Sequence, residues 1–288
     1  MDIHSIRELD PKLVPESLFE IPQPPKTLFI RGNFPDKEKI FLCVVGSRKF
    51  TSYGRDACEK LIEGLRGYPV VIVSGLAMGI DSIAHKKAME VGLTTLAFPG
   101  SGLMDKVIFP TSNVPLARKI VESGGAIISE FPNDFKATLY SFPQRNRIMA
   151  GISKAVLIIE AEEKSGTLIT ARLAVEYNRD VLVVPGSINS PTSKGTNRLI
   201  RQGATPITNS DELLEALGFE VDNKKMVQQE LFNCTDDEKK VLEILREPFA
   251  RDELIRLLKK PTHEANALLS IMEIKGLIKE ELGEIRKV

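Results

Sequence analysis

The 288-residue sequence predicts an open, doubly wound α/β domain with a mainly parallel sheet, followed by a small separate C-terminal unit. Three observations carry this. Six short runs are apolar at nearly every position rather than every second one, as in strands covered on both faces. Segments with helical spacing of apolar residues separate the runs, which gives right-handed βαβ crossovers. A turn rich in glycine, serine or proline closes each run at its carboxyl end, where ligands sit in this architecture.

Residues 1–39 contain Pro11, Pro15, Pro22, Pro24, Pro25 and Pro35 and no long periodic segment. Proline removes backbone donors and opposes helix, so an extended strap over the main domain is expected. The main domain is expected over 40–218. Its strands read as Ile40 to Val45, Val70 to Val73, Thr94 to Phe98, Ala126 to Ile128, Ala155 to Ile159 and Val181 to Val184. Helices are expected over Ser52 to Leu65, Ile80 to Val91, Val114 to Glu122, Leu168 to Tyr177 and Thr196 to Arg201.

A polar linker is expected over 219–230, with Asp222, Asn223, Lys224 and Lys225 at its centre. Residues 231–288 then read as three amphipathic helices, two of them capped by Thr235 and Thr262, and a terminal hairpin turning near Gly283. Three helices plus a hairpin describe a winged-helix-like unit. Its third helix offers His263, Glu264, Asn266 and Lys275 but few arginines, so a protein-contact or structural role is at least as well supported as DNA reading.

Lys plus Arg and Asp plus Glu both number 39, so no global field draws the chain to a polyanion and any such site is local. Residues 40–218 hold 20 basic and 17 acidic side chains, and 231–288 hold 11 and 12. The tail lacks the surplus of a strong DNA binder. Cys43, Cys58 and Cys234 are scattered without a CxxC pair, and there are three histidines, so neither a disulfide framework nor a zinc site is supported. The opening MDIHSIRELDPK has no basic region leading into an apolar run, and no segment reaches the ~20 apolar residues of a membrane span, so a cytoplasmic protein without membrane contact is expected.

The stretch Phe142 to Gly151, FPQRNRIMAG, places an aromatic, two arginines and an asparagine ahead of the fifth strand. An aromatic face stacks on a base and guanidinium groups fork onto phosphate oxygens, so this cluster suits an anionic, base-bearing ligand. The plainer alternative is a core Phe and two solvated arginines at a helix start. The carboxyl-edge turns supply further candidates: Gly46, Ser47 and Arg48 after the first strand, Ser74, Gly75 and Ala77 after the second, Ser165, Gly166 and Thr167 after the fifth. Glycine permits close backbone approach, and amides at the following helix N-terminus favour phosphate. None of these turns is a GxGxxG or GxxxxGK[ST] motif, so no dinucleotide or nucleoside triphosphate cofactor is indicated. Asp81 and His85 lie four apart on one helix, where a cap and a packing histidine are the simpler roles.

In chain order, VVGSR (44–48), SGLAMGIDSIAH (74–85), GSGLMDKVIFP (100–110), GGAIISEFP (124–132), FPQRNRIMAG (142–151), EAEEKSGTLITA (160–171) and PGSI followed by GTNRLIRQGA (185–204) resemble the bacterial DNA-processing protein A family. The proline-rich PPKTLFIRGN (24–33) is similar to that family's entry segment. The resemblance implies an extended Rossmann-like domain that forms homodimers, binds single-stranded DNA without catalysis and loads the RecA recombinase during natural transformation. By the same resemblance, Gly46, Ser47 and Arg48 would hold a phosphate; Ser74, Gly75 and Ala77 would line the pocket; Phe142, Arg145, Asn146 and Arg147 would engage the strand; Ser165, Gly166 and Thr167 would cap the neighbouring edge. Within the Phe142 stretch, Phe142 is the expected stacker and Arg145 or Arg147 the expected phosphate ligand, with Ile148 and Met149 in the core. The family's helical N-terminal domain is expected to be absent or a remnant here, and Phe98-Pro99 departs from its usual third-strand ending.

An enzymatic alternative is a nucleoside-monophosphate phosphoribohydrolase of the LOG type, whose PGGxGTxxE loop carries a glutamate. The aligned loop, Ser165-Gly166-Thr167-Leu168-Ile169-Thr170-Ala171, lacks that glutamate, leaving Glu130 and Glu160 as the nearby carboxylates. A nucleotide-sensing module with the same pocket is a third alternative.

Overall fold

The computed structural model describes residues 4–220, 235–245, 249–258, 260–275, 277–281 and 283–287. It divides into two compact units, Met1–Glu220 and Val221–Val288. Most of the linker expected over 219–230, and Cys234, lie outside the described residues.

The larger unit is built on a nine-stranded sheet. In chain order the strands are β1 (Ile6–Glu8), β2 (Phe29–Gly32), β3 (Ile40–Val45), β4 (Val70–Ser74), β5 (Thr94–Ala97), β6 (Ala126–Ser129), β7 (Ala155–Ile158), β8 (Asp180–Val183) and β9 (Thr205–Pro206). Their spatial order is β1-β2-β6-β5-β4-β3-β7-β8-β9. From β6 to β9 every pairing is parallel, and the Rossmann-like expectation holds. The helices are α1 (Ser52–Glu63), α2 (Ile80–Glu90), α3 (Val114–Glu122), α4 (Ser141–Ile152), α5 (Thr167–Glu176), α6 (Lys194–Arg201) and α7 (Ser210–Ala216).

The proline-rich segment is more than a strap. β1 pairs antiparallel with β2, and β2 antiparallel with β6, with Ile30 opposite Ile128, so the sheet is mixed at this edge. Leu9, Val14, Leu18, Ile21, Leu28 and Ile30 are buried in the main core beside Ile148, Met149 and Ile152 of α4. Prolines bound the two strands without entering them, which is why a pattern search for long periodic elements passes over them. The expected boundary at residue 40 therefore does not separate two units. α7 is not among the expected helices, and α4 is met only by the plainer alternative that puts the Phe142 stretch at a helix start. α7 is N-capped by Asn209, whose side chain accepts from the Glu212 amide.

The smaller unit has α8 (Asp236–Ile244), β10 (Phe249–Ala250), α9 (Arg251–Leu258), α10 (Thr262–Ile274), β11 (Ile278–Glu281) and β12 (Glu284–Lys287). Thr235 and Glu238 form a capping box on α8. Pro261, rather than Thr262, is the N-cap of α10, and Thr262 is its first residue. The three strands form an antiparallel sheet in the order β10-β12-β11, and Val241, Leu254, Leu269, Met272, Ile278 and Ile285 are buried in this unit's own core.

Candidate functional site: a crevice at the switch point of the sheet

Strand order reverses between β3 and β7. The chain proceeds from β3 outward through β4 and β5 on one side and from β7 through β8 and β9 on the other, so the loops leaving β3 and β7 diverge and open a crevice at their carboxyl ends. A cavity of about 340 Å³ lies there. Ten of the thirteen sequence-predicted site residues line it: Gly46, Ser47, Arg48, Ala77, Phe142, Arg145, Asn146, Ser165, Gly166 and Thr167.

The wall after β3 is held by close packing. A Cβ on Gly46 would stand 2.7 Å from Cγ1 of Ile80, so only glycine lets α2 approach β3 this closely. Ser47 closes its own turn, accepting from the Lys49 amide at 3.0 Å and donating to the Lys49 carbonyl at 2.9 Å. Arg48 and Lys49 are thereby turned outward and exposed. The opposite wall is the start of α5. Gly166 is its N-cap, where a Cβ would meet only open space, and the Thr167 amide donates to Ser165 Oγ at 3.2 Å. Thr167 ties this helix to the first wall by donating to the Gly46 carbonyl at 3.2 Å.

α4 forms the third side, with its N-terminal half against the crevice. Phe142 packs over Gly100, where a Cβ would come within 2.6 Å of its ring, and the Arg48 guanidinium lies 5.7 Å from the ring centroid. Arg145 is nine-tenths buried; it donates through Nη1 to the Phe98 carbonyl, and its Nε has no partner among the described residues. Asp81, also buried, accepts from the Gly75 amide at 3.1 Å and the Ala77 amide at 3.4 Å. Burial raises the Asp81 carboxyl and lowers the Arg145 guanidinium from their ordinary pKa values, and in each case the other's charge opposes the shift. Asp81 so fixes the β4 turn and Arg145 the loop after β5, and the exposed charged side chains lining the crevice are Arg48, Lys49 and Glu162, one positive charge in excess.

Three expected residues stand apart. Ser74 is fully buried and donates to the Val44 carbonyl at 2.7 Å, so it braces β3 against β4 and does not line the crevice. Gly75 lines a smaller adjoining cleft. Arg147 does not line the crevice: its guanidinium is held by Glu130 and the Gln23 carbonyl, which fixes the N-terminal segment to α4 and β6. The expectation that it is a phosphate ligand does not match that placement, because an arginine already paired and half-buried has few donors left to offer. Met149, expected in the core only, is buried and also lines the crevice beside Arg145.

Sequence reasoning missed Lys49 and preferred a cap role over acid/base chemistry for Asp81. Adjacency to Gly46-Ser47-Arg48 was the available signal for the first. For the second there was none, since the Asp81 contact with the β4 turn depends on how α2 enters. The two carboxylates weighed for catalysis lie outside the crevice lining. Glu160 is buried and accepts from the Thr51 amide (2.9 Å), Thr51 Oγ1 (2.6 Å) and Thr192 Oγ1 (2.9 Å). Glu130 pairs with Arg147, and burial raises its pKa against that attraction. Among the described residues no cluster of His, Cys, Asp and Glu could hold a metal ion, and no helix is long and apolar enough to cross a membrane. In the smaller unit two candidate reader residues are committed internally: Asn266 accepts from Arg251 at 3.1 Å, and Lys275 donates to Glu238 at 2.6 Å.

The fold and crevice define a Rossmann-like α/β protein with a cationic cleft at its topological switch point. The chain belongs to the family described as DNA recombination-mediator protein A, whose model matches residues 6–218. It is 42% identical over 216 residues to Protein Smf of Escherichia coli (strain K12), a match covering 75% of this chain and 57% of that protein. It is 38% identical over 205 residues to DNA processing protein DprA of Streptococcus pneumoniae, covering 71% of each. It thus spans little more than half the length of the first of these relatives. The crystal structure of the S. pneumoniae protein superposes with a TM-score of 0.69 at 36% identity, covering 76% of both chains. A Helicobacter pylori DNA processing protein A, described for its single-stranded DNA binding mode, superposes with a TM-score of 0.67 at 31% identity, covering 75% of this chain and 98% of that one.

Proposed function

We propose that this protein binds single-stranded DNA along the carboxyl edge of its sheet, with one phosphate in the switch-point crevice, and passes the strand to a recombinase of the RecA class during DNA uptake and recombination. The observation that carries the DNA-binding part is the convergence on one crevice of an exposed cation, Arg48, an aromatic ring, Phe142, and the N-terminal end of α5. The cation and the positive end of the helix dipole suit a phosphate, and the ring suits an unstacked base. The H. pylori relative, whose description names single-stranded DNA, supports the same ligand. Action without catalysis fits the engagement of Glu130 and Glu160 in structural contacts.

Homodimer formation, a cytoplasmic location and hand-over to RecA complete this reading and rest on the family resemblance. The smaller unit is read as winged-helix-like and as a protein contact, since Asn266 and Lys275 are already paired. The test is a titration of one labelled oligonucleotide, single-stranded against duplex, at several salt concentrations. Single-strand preference with a log–log salt slope of about −0.7 per neutralised phosphate is expected. Equal affinity for duplex, or an affinity indifferent to salt, would refute it. Assembly of RecA on the oligonucleotide with and without the protein tests the hand-over separately.

A further inference from the structure

Beside the crevice lies a second, smaller cleft of about 60 Å³. Phe142, Arg48, Ala77 and Arg145 belong to both, while Gly75, Met78, Phe109 and Pro110 belong to this cleft alone. Two of its side chains are apolar and open to solvent: Met78 is 55% exposed and Phe109 48% exposed. Single exposed apolar residues are ordinary on a protein surface. Phe109 stands beside a second ring, Phe142, 5.9 Å away between centroids at an interplanar angle of 50°.

Both loops are held in place, so the exposure is a fixed property of the fold. Leu76, at a φ of 57°, is fully buried, and its carbonyl accepts from the Asn113 side chain at 2.8 Å. A non-glycine residue in the left-handed region is costly and persists only where its surroundings impose it. With the Gly75 and Ala77 amides on Asp81, this reversal buries Leu76 and turns Met78 outward. On the other loop, Val107 and Ile108 are buried next to Phe109, and Asp105 is paired with both Arg31 and Arg118. Phe109 therefore stands out from a loop whose neighbouring residues are seated in the core.

We infer that Phe109 and Met78 form a base-receiving subsite contiguous with the phosphate crevice, so that the protein engages two successive unpaired nucleotides, one base on Phe142 and the next on Phe109. The inference rests on the reading of the crevice as a single-stranded DNA site. A cleft this small takes the edge of one planar group and no whole nucleotide. The base lies across the Phe109 ring, and the thioether of Met78, soft and adaptable, fills against whichever base is present. Nothing in this apolar surface distinguishes one base from another by hydrogen bonds, so the subsite selects for an unstacked base and not for sequence. Arg48, shared by both clefts, is placed to contact the phosphate between the two nucleotides.

The test uses the full chain and two labelled ligands, an oligodeoxythymidine and an oligomer of abasic deoxyribose phosphates of equal length, with binding followed by fluorescence anisotropy at several salt concentrations. Phe109→Ala is expected to weaken binding of oligodeoxythymidine by about 5- to 150-fold, the effect of losing one base stack, with an unchanged salt slope and no effect on the abasic oligomer. Phe109→Tyr is expected to bind as the unsubstituted protein does, and melting curves of both variants confirm that they are folded. Equal losses on both ligands, or no loss on oligodeoxythymidine, overturn the subsite while the crevice reading stands. Failure of the unsubstituted protein to bind oligodeoxythymidine overturns both.

Discussion

A Cβ on Gly75 would overlap Nη1 of Arg145 and stand 2.6 Å from Oδ2 of Asp81, so this glycine is the floor on which the buried arginine lies. The absence of a side chain at one position thus sets the position of the deepest cation in the crevice. Gly75→Ala is expected to push Arg145 off the Phe98 carbonyl. Overpacking of this kind costs about 1–3 kcal/mol, which urea denaturation measures, and oligonucleotide affinity should fall with it. An unchanged denaturation midpoint and an unchanged affinity would show that the arginine re-seats freely.

The two arginines that seemed equivalent by composition separate in the fold. Arg48→Ala is expected to reduce the magnitude of the log–log salt slope for single-stranded DNA by about 0.7, the contribution of one phosphate contact. Arg147→Ala is expected to leave the slope unchanged and to lower stability by about 3 kcal/mol, because Glu130 would remain partly buried without its partner. Paired salt titrations and denaturation curves distinguish the two, and a slope change in Arg147→Ala would mean that its pairing with Glu130 opens when DNA binds.

Glu160 is expected to be structural. It accepts from both the backbone and side chain of Thr51, the N-cap of α1, and from Thr192 ahead of α6. Glu160→Ala should lower stability by about 1–3 kcal/mol, since three partly buried donors lose their acceptor. Incubation of the unsubstituted protein with nucleoside monophosphates should release no free base. Turnover abolished by Glu160→Gln, with the melting temperature retained, would reverse the assignment.

His85 gives a pH dependence of defined sign. Thr95 donates its one hydroxyl proton to the Ile72 carbonyl at 2.9 Å, so it accepts from Nδ1 of His85 at 2.7 Å, and Nε2 is buried without a partner among the described residues. Burial, with the Arg145 charge adding to it, depresses the His85 pKa to about 3. Its unfolded value is ~6.5, so between these pH values the unfolded chain binds a proton that the folded chain does not. The stability His85 contributes is present above pH ~6.5 and is lost as pH falls toward about 3, amounting to roughly 3 kcal/mol by pH ~4.5. His85→Gln is expected to flatten the fall in stability between neutral pH and pH ~4.5. An unaltered pH profile would place the proton uptake elsewhere.

The Gly46 turn was legible because a tight approach of backbone to helix requires a glycine in the sequence itself. β1 and β2 were not, because strands of three and four residues between prolines leave too short an apolar pattern, and only the pairing of β2 to β6 and of β1 to β2 makes them strands. α4 was hidden for a related reason. Its twelve residues carry arginines, asparagine, proline and glycine, and its apolar face is defined by Leu18 and Ile21 of the distant N-terminal segment, which fill the space at Gly151.

By itself the sequence determined the six parallel strands, the helices that cross between them and the candidate edge. A strand covered on both faces must be apolar throughout, and a turn that approaches a ligand must be small, so both requirements are written locally. Which candidates face the crevice was decided only by tertiary structure. Arg48 is left at the mouth because Ser47 closes its own turn, while Arg147 is taken up by Glu130 and by Gln23, 124 residues away in the chain. Burial and ion pairing are set by neighbours in space, and no pattern along the chain encodes them.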